Sequence, residues 1–234
     1  MSESVRFVCL ANSTKNRGRC IAGRIIGEDR EFGSWIRPVS ARPTREVDLG
    51  EMRLLDGSTP SLLDIIEVNV TNLPVHSLGH QVENRLIDRS APWRRLGRIS
   101  VEELGRATEP SGELWGHGFS SSKGQHDRIP ATDLAYFRHS LRLVHVPLVT
   151  IQVTDAYSLS GEDRKQVRAL FRLGNVGYCL KVKDPDIELP YLQREKGEYR
   201  LGPSFVTVSV AEPYDDGYGY KLVAAIIEDV SRNA

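Results

Sequence analysis

Hydrophobic and polar residues follow three patterns along this chain. Residues 5–11 and 20–27 are nearly continuous apolar runs, as expected of strands buried on both faces. The polar stretch 12–19 between them predicts a β-hairpin with those residues at its tip. Gly23, inside the second run, marks a bulge or a close approach of another backbone. Residues 34–39 predict a short strand that Pro38 ends or confines to an edge, with Trp35 and Arg37 on one face. The polar stretch 41–60 reads as a loop. Strict alternation then appears at 65–71, where Ile66, Val68 and Val70 share one side.

Alternation returns from Leu141. Residues 141–154 predict one long strand or two broken at Pro147. Val167, Ala169, Phe171 and Leu173 alternate with Arg168, Leu170 and Arg172. Gly174-Asn175 supplies a hairpin turn because both residues tolerate positive φ. After it Tyr178, Leu180 and Val182 face one way, and Cys179, Lys181 and Lys183 the other. Residues 186–203 read as a loop, 205–210 as a strand, 213–219 as a turn and 220–227 as a closing apolar strand. Each end of the chain thus supplies the four or five short strands of a small barrel.

The third pattern is a loss of period between residues 73 and 139. Ser100 and Glu103 have capping-box spacing, which predicts a short helix from 101 to about 106. Residues 108–124 are rich in Gly and Ser. That stretch runs into a loop with Lys123, His126 and Arg128, which are placed to fold over a strand or a phosphate. The resulting expectation is an all-β chain with minor helix. Residues 1–75 form an N-terminal barrel and 76–140 an irregular, partly helical insert packed on or between barrels. Residues 141–234 form a C-terminal barrel.

Composition narrows the function without naming it. With 234 residues, one large β-rich domain or two small ones fit. Lys+Arg and Asp+Glu balance at 31 each, so a nucleic-acid site has to be a local patch. Cys9, Cys20 and Cys179 are an odd set without short spacing, which argues against a disulfide framework or a zinc ribbon. Cys9 and Cys20 are placed to lie near each other across the hairpin, and the reading taken is buried small hydrophobes. The opening MSESVRF does not read as a secretory signal, and no segment approaches a membrane span. A cytoplasmic protein with no membrane partner is expected.

Candidate chemistry concentrates at two places. In the connector, Lys15, Arg17 and Arg19 are suited to phosphates, while Asn12 and Ser13 can position or read a base. On the next strand, Arg37 and Trp35 either serve a phosphate and a base together, or Trp35 caps the core with Arg37 snorkelling over it. The box His80-Gln81-Val82-Glu83-Asn84 packs an imidazole, a carboxylate and two amides into five positions. Such a set can read a base edge, transfer a proton, or satisfy loop backbone groups. His76, His80 and Glu83 have a zinc-like spacing. Pro74 and Gly79 break the helix that spacing needs, so no metal is expected. No cofactor is expected either. The arginines at 85, 89, 94, 95, 98 and 106 read as a solvated face or as an extension of the basic connector.

CLANSTKNRGRCIAGR, WIRPVS, LDIIEV, HQVEN and YKLVAAIIE together resemble the dual OB-containing domain, a bacterial family of two fused OB-like barrels. The resemblance runs from about Val5 to Ile227. Its most specific parts are the Asn-Ser-x-Lys run with Arg19-Cys20-x-Ala22-Gly23, and the His80–Asn84 box. It implies two OB-like barrels that bind nucleic acid or a nucleotide; the candidate residues of the connector, the next strand and the box assign that binding to the N-terminal barrel, with a single strand or a nucleotide as the expected ligand. It also implies protein partners in a bacterial defence complex. Two rival functions stay open: an enzyme acting on nucleic acid or nucleotide with the box as its acid/base centre, and a protein-assembly subunit.

Overall fold

Strand pairing turns the apolar runs into two rings of the same order. The structure, a computed structural model, describes residues 2–71, 79–110, 112–116, 118–156 and 164–230. It divides into two compact units: Met1–Ala107 with Arg138–Ser140, and Thr108–Phe137 with the chain from Leu141 onward. With 52% strand against 9% helix, the fold is all-β, as the patterning implies.

In the first unit, β1 (Ser2–Lys15), β2 (Gly18–Ile26), β3 (Phe32–Val39), β4 (Asp64–Thr71) and β5 (Asn84–Ile87) pair in the ring β1-β2-β3-β5-β4-β1. Every pairing in the ring is antiparallel except β3 with β5, where Arg37 faces Asn84 and Val39 faces Leu86. β6 (Arg94–Arg98) adds to the outside of β4. β1 is long enough to pair with two neighbours, β2 along its second half and β4 along its first. A register shift between Cys9 and Ala11 lets it turn from one to the other. Gly23 lies opposite this bend, and a Cβ there would come within 1.8 Å of the Val8 carbonyl oxygen. Only glycine fits that approach. Phe7, Ile21, Ile36, Ile66, Val68 and Trp93 fill the core, with Phe7 and Trp93 edge to face at 6.4 Å.

The second unit repeats the order. β8 (Leu141–Asp155), β9 (Lys165–Leu173), β10 (Val176–Val182), β11 (Gly197–Val210) and β12 (Tyr218–Glu228) pair as β8-β9-β10-β12-β11-β8. The parallel pairing again joins third and fifth strands, at Lys181 with Leu222 and Val182 with Val223. β7 (Arg128–Pro130) lies along β12 and leads into α1 (Ala131–Leu134). Val149, Ile151, Val167, Leu180, Val208 and Val223 build the core. Pro147 stays within one long strand, at a register shift of the β8–β11 ladder. α2 (Pro185–Leu192) connects the third and fourth strands. Asp184 caps it by accepting from the Asp186 amide at 3.0 Å, and Pro185 begins it. Two rings of this order are two OB-like barrels.

The residues expected as an insert, 76–140, divide between the units. β5, β6 and a 3₁₀ turn at Glu102–Ala107 lie in the first, and Thr108–Phe137 in the second. Ser100 donates its amide to Glu103 as the capping spacing implies, at 2.9 Å, but the turn it starts is 3₁₀. The hairpin register sets Cys9 opposite Gly23 and Cys20 opposite Ser13, so the two thiols are not cross-strand partners. No helix among the described residues is long and apolar enough to cross a membrane.

Candidate functional site

The residues singled out in the first barrel are engaged largely with the barrel itself. The connector is mostly strand, turning only at Asn16 and Arg17, with Asn16 at φ 52°. Asn12 donates to the Pro60 carbonyl at 2.9 Å, and Ser13 is buried. Arg19 exchanges both backbone hydrogen bonds with Val47. Hydrogen bonds from Thr44 and Asn16, together with the charge of Lys15, hold the Glu46 carboxyl below its usual range. The connector therefore grips the 44–47 loop and leaves Asn16 and Arg17 exposed at the tip.

Trp35 is 8% exposed, and the Arg24 guanidinium lies 5.8 Å from its ring centroid. Arg24 in turn donates to the carbonyls of Gly33 and Ala107. A base needs an open ring face to stack, and Trp35 does not present one. Arg37 is equally enclosed, with its guanidinium 3.2 Å from Glu83 and 2.9 Å from the Ser140 hydroxyl. Ser140 donates to Glu83, and Asn84 accepts from Arg37 at 3.4 Å and donates to Gln81 at 3.1 Å. His80, Gln81, Glu83 and Asn84 are all buried. The structure thus gathers Arg37, Gln81, Glu83 and Asn84 into one polar cluster around Ser140, inside the unit. His76 lies outside the described residues, and no cluster of metal-ligating residues occurs among those described. The neighbouring arginines are matched by acids: Arg94 meets Glu67 at 3.1 Å, Arg95 meets Asp56 at 2.5 Å, and Arg98 meets Asp64 at 3.1 Å.

The second barrel treats the same face differently. On β9 and β10 the alternate residues point away from the core, and the hairpin register sets Arg168 directly opposite Lys181. Like charges facing across a ladder oppose each other. Burial, then the charges of Lys183 and Arg168, hold the Lys181 ammonium below its usual range, with Glu188 acting against them. These three cations line a cavity of about 560 Å³. Its other wall is the β11–β12 turn, with Tyr214 and Asp215.

The floor of the cavity is fixed by the segment leading into β7. Gln125 exchanges backbone hydrogen bonds with Cys179 of β10, so this loop folds over a strand. Asp127 accepts from the Ser121 amide and hydroxyl and stands 3.5 Å from Arg168. Its carboxylate occupies the space a Cβ on Gly124 would need. Lys221, fully buried, donates to the carbonyls of Gly116 and His126, and burial pushes its pKa down to about 8. Arg168 keeps one buried nitrogen, Nε, without a hydrogen-bond partner among the described residues.

A family model for the dual OB-containing domain matches residues 5–226. The chain belongs to the dual OB-containing domain family. No curated protein and no solved structure matches it. OB-containing domains suggest binding of nucleic acid or other oligomers in general. They bind on the face of the second and third strands and on the loops joining strands one to two and four to five. In the second barrel, β9, β10 and the 211–217 turn occupy the corresponding positions, around the cavity.

A larger cavity, about 780 Å³, lies in the first unit beside Leu54, Ile87 and Trp93. Asp48, Glu51 and Asp88 outnumber Arg53 and Arg89 there, whereas in the second-barrel cavity Arg168, Lys181, Lys183 and the buried Lys221 face Asp127, Asp215 and Asp216. Of the two, only the latter has a charge balance suited to an anion. The signal for it lay in the sequence. A two-residue turn at Gly174-Asn175 fixes the register, and counting outward from it puts Arg168 against Lys181.

Proposed function

We propose that this member of the family binds single-stranded nucleic acid, or a nucleotide, on the outer face of its second barrel. One observation carries the reading: Lys181 and Lys183 line an open cavity beside the Asp127–Arg168 pair. Asp127 meets the charge of the buried Arg168, and Lys181, less buried, is the member of the pair that can take an anion from solvent. Phosphates spaced along a strand are such anions, and the exposed ring of Tyr214 offers a base a surface to stack on. The lysines hold the backbone, and the tyrosine contributes affinity with little regard to sequence.

An enzyme centred on the His80–Asn84 box would need its acid and base within reach of substrate. The burial of His80 and Glu83 favours the binding reading. An assembly role in a defence complex would use protein-facing surfaces, and the lysines of the cavity support a polyanion instead. Titration of a fluorescent single-stranded oligonucleotide tests the proposal, with Lys181→Glu as the variant. Lys181→Glu places a carboxylate opposite Arg168, and binding is expected to disappear while the fold is kept. Wild-type affinity in that variant would refute the reading.

A further inference from the structure

The acids around the second-barrel cavity are not equivalent. Asp127 is held by Ser121 and Arg168. Asp216 accepts from the Tyr220 hydroxyl at 2.6 Å and from the Tyr218 amide at 3.1 Å. Asp215 lies between two well-anchored residues and makes no hydrogen bond or ion pair among the described residues, and it is exposed at the cavity wall.

The turn that carries Asp215 is rigid. Tyr214 donates its amide to Tyr218 at 3.0 Å and accepts from the Gly217 amide at 2.9 Å. Gly217 closes the turn at φ 78°, a conformation that favours glycine. The Tyr214 ring stands edge-on to Tyr220, with centroids 5.5 Å apart and an interplanar angle of 85°. Tyr214 remains 61% exposed. An exposed aromatic face and an uncommitted carboxylate thus sit on adjacent residues lining the same cavity as the cations.

Building on the proposed function, we infer that this turn selects among nucleobases and favours guanine. Because the two residues are adjacent on one turn, a base stacked on Tyr214 can turn its Watson–Crick edge to Asp215. An ionised carboxylate can only accept hydrogen bonds, through two oxygens. Guanine presents two adjacent donors, N1–H and the N2 amino group, which match both oxygens. Cytosine and adenine present one amino donor beside a ring acceptor. Uracil and thymine present one N–H between two carbonyls that repel the carboxylate. The order of preference is guanine, then cytosine and adenine, then uracil. Good bidentate pairs discriminate by about tenfold or more.

The test is competition of the four nucleoside 5′-monophosphates against a labelled single-stranded oligonucleotide on the full chain. Guanosine monophosphate is expected to compete about tenfold better than uridine monophosphate. Asp215→Asn, an exposed substitution that introduces a donor, should bring the four within about twofold of one another. Equal competition by all four in the wild type, or an unchanged preference in Asp215→Asn, overturns base selection but leaves phosphate-driven binding standing. If the labelled strand does not bind the wild type at all, both this inference and the function it rests on fall.

Discussion

The two barrels share a ring order and differ in what lies over the outer face of their second and third strands. In the first, Arg24 and Trp35 are cross-strand partners and pack against each other, and Arg24 also bonds the end of the 3₁₀ turn. Arg37 is neutralised by Glu83 and capped by Ser140. In the second, Asp127 meets Arg168 at 3.5 Å, while Lys181 and Lys183 line a cavity. Topology places the face, but the partners supplied by the rest of the unit decide whether a ligand can use it. A closed face adds stability and an open one gives some up.

The sharpest way to break this contrast is to open the closed face. Glu83→Ala strands the Arg37 guanidinium in a buried site and should cost the first barrel about 3–5 kcal/mol in urea unfolding. A loss below about 1 kcal/mol would show that the pair is not what closes the face. On the open side, Tyr214→Ala should weaken oligonucleotide binding by about 1–3 kcal/mol, read by fluorescence anisotropy, without shifting the unfolding midpoint.

The connection between third and fourth strands separates the barrels by pH. Only the second places a capped α-helix there. The Asp184 carboxylate accepts from the amides of Asp186 and Ile226, and burial raises its pKa to about 6. Because the folded value lies above the ordinary aspartate value of 3.8, the folded barrel holds the proton more tightly. The contribution to stability is full below that ordinary value and is lost as pH rises through about 6. Asp184→Asn should remove this dependence at a cost of about 1 kcal/mol, since the Ile226 amide loses an acceptor. Unfolding curves from pH 4 to 7 that keep the wild-type slope in the variant would contradict the assignment. The smallest effect concerns the repelling pair. Lys181→Gln should raise the unfolding free energy of the second barrel by about 0.2–1 kcal/mol, because it removes a like charge facing Arg168.

Much of this was legible residue by residue. The hairpin at Gly174-Asn175, the close approach at Gly23 and the strand at 65–71 follow from period and turn chemistry alone. β5 and β6 escaped because neither alternates. Asn84–Ile87 becomes a strand by parallel pairing with β3, and Arg94–Arg98 by pairing with β4 and by ion pairs with distant acids. α2 escaped because Pro190 lies inside it and no apolar stripe marks a face, although Asp184-Pro185 is a start signal. The burial of Trp35 and Arg37 was one of two readings the strand left open, and the sequence alone could not choose it. It depends on Ala107, Glu83 and Ser140, which are far away in sequence and near only in the fold.

The most direct test of the open face is the slope of log affinity against log salt for a single-stranded oligonucleotide. It should be compared between wild type, Arg17→Ala and Lys181→Ala with Lys183→Ala. Each phosphate left without its cation should reduce the slope by about 0.7, so the double variant should lose about 1.4 units while Arg17→Ala keeps nearly the wild-type value. A slope that falls in Arg17→Ala and holds in the double variant would place the polyanion on the first barrel and leave the second without a ligand.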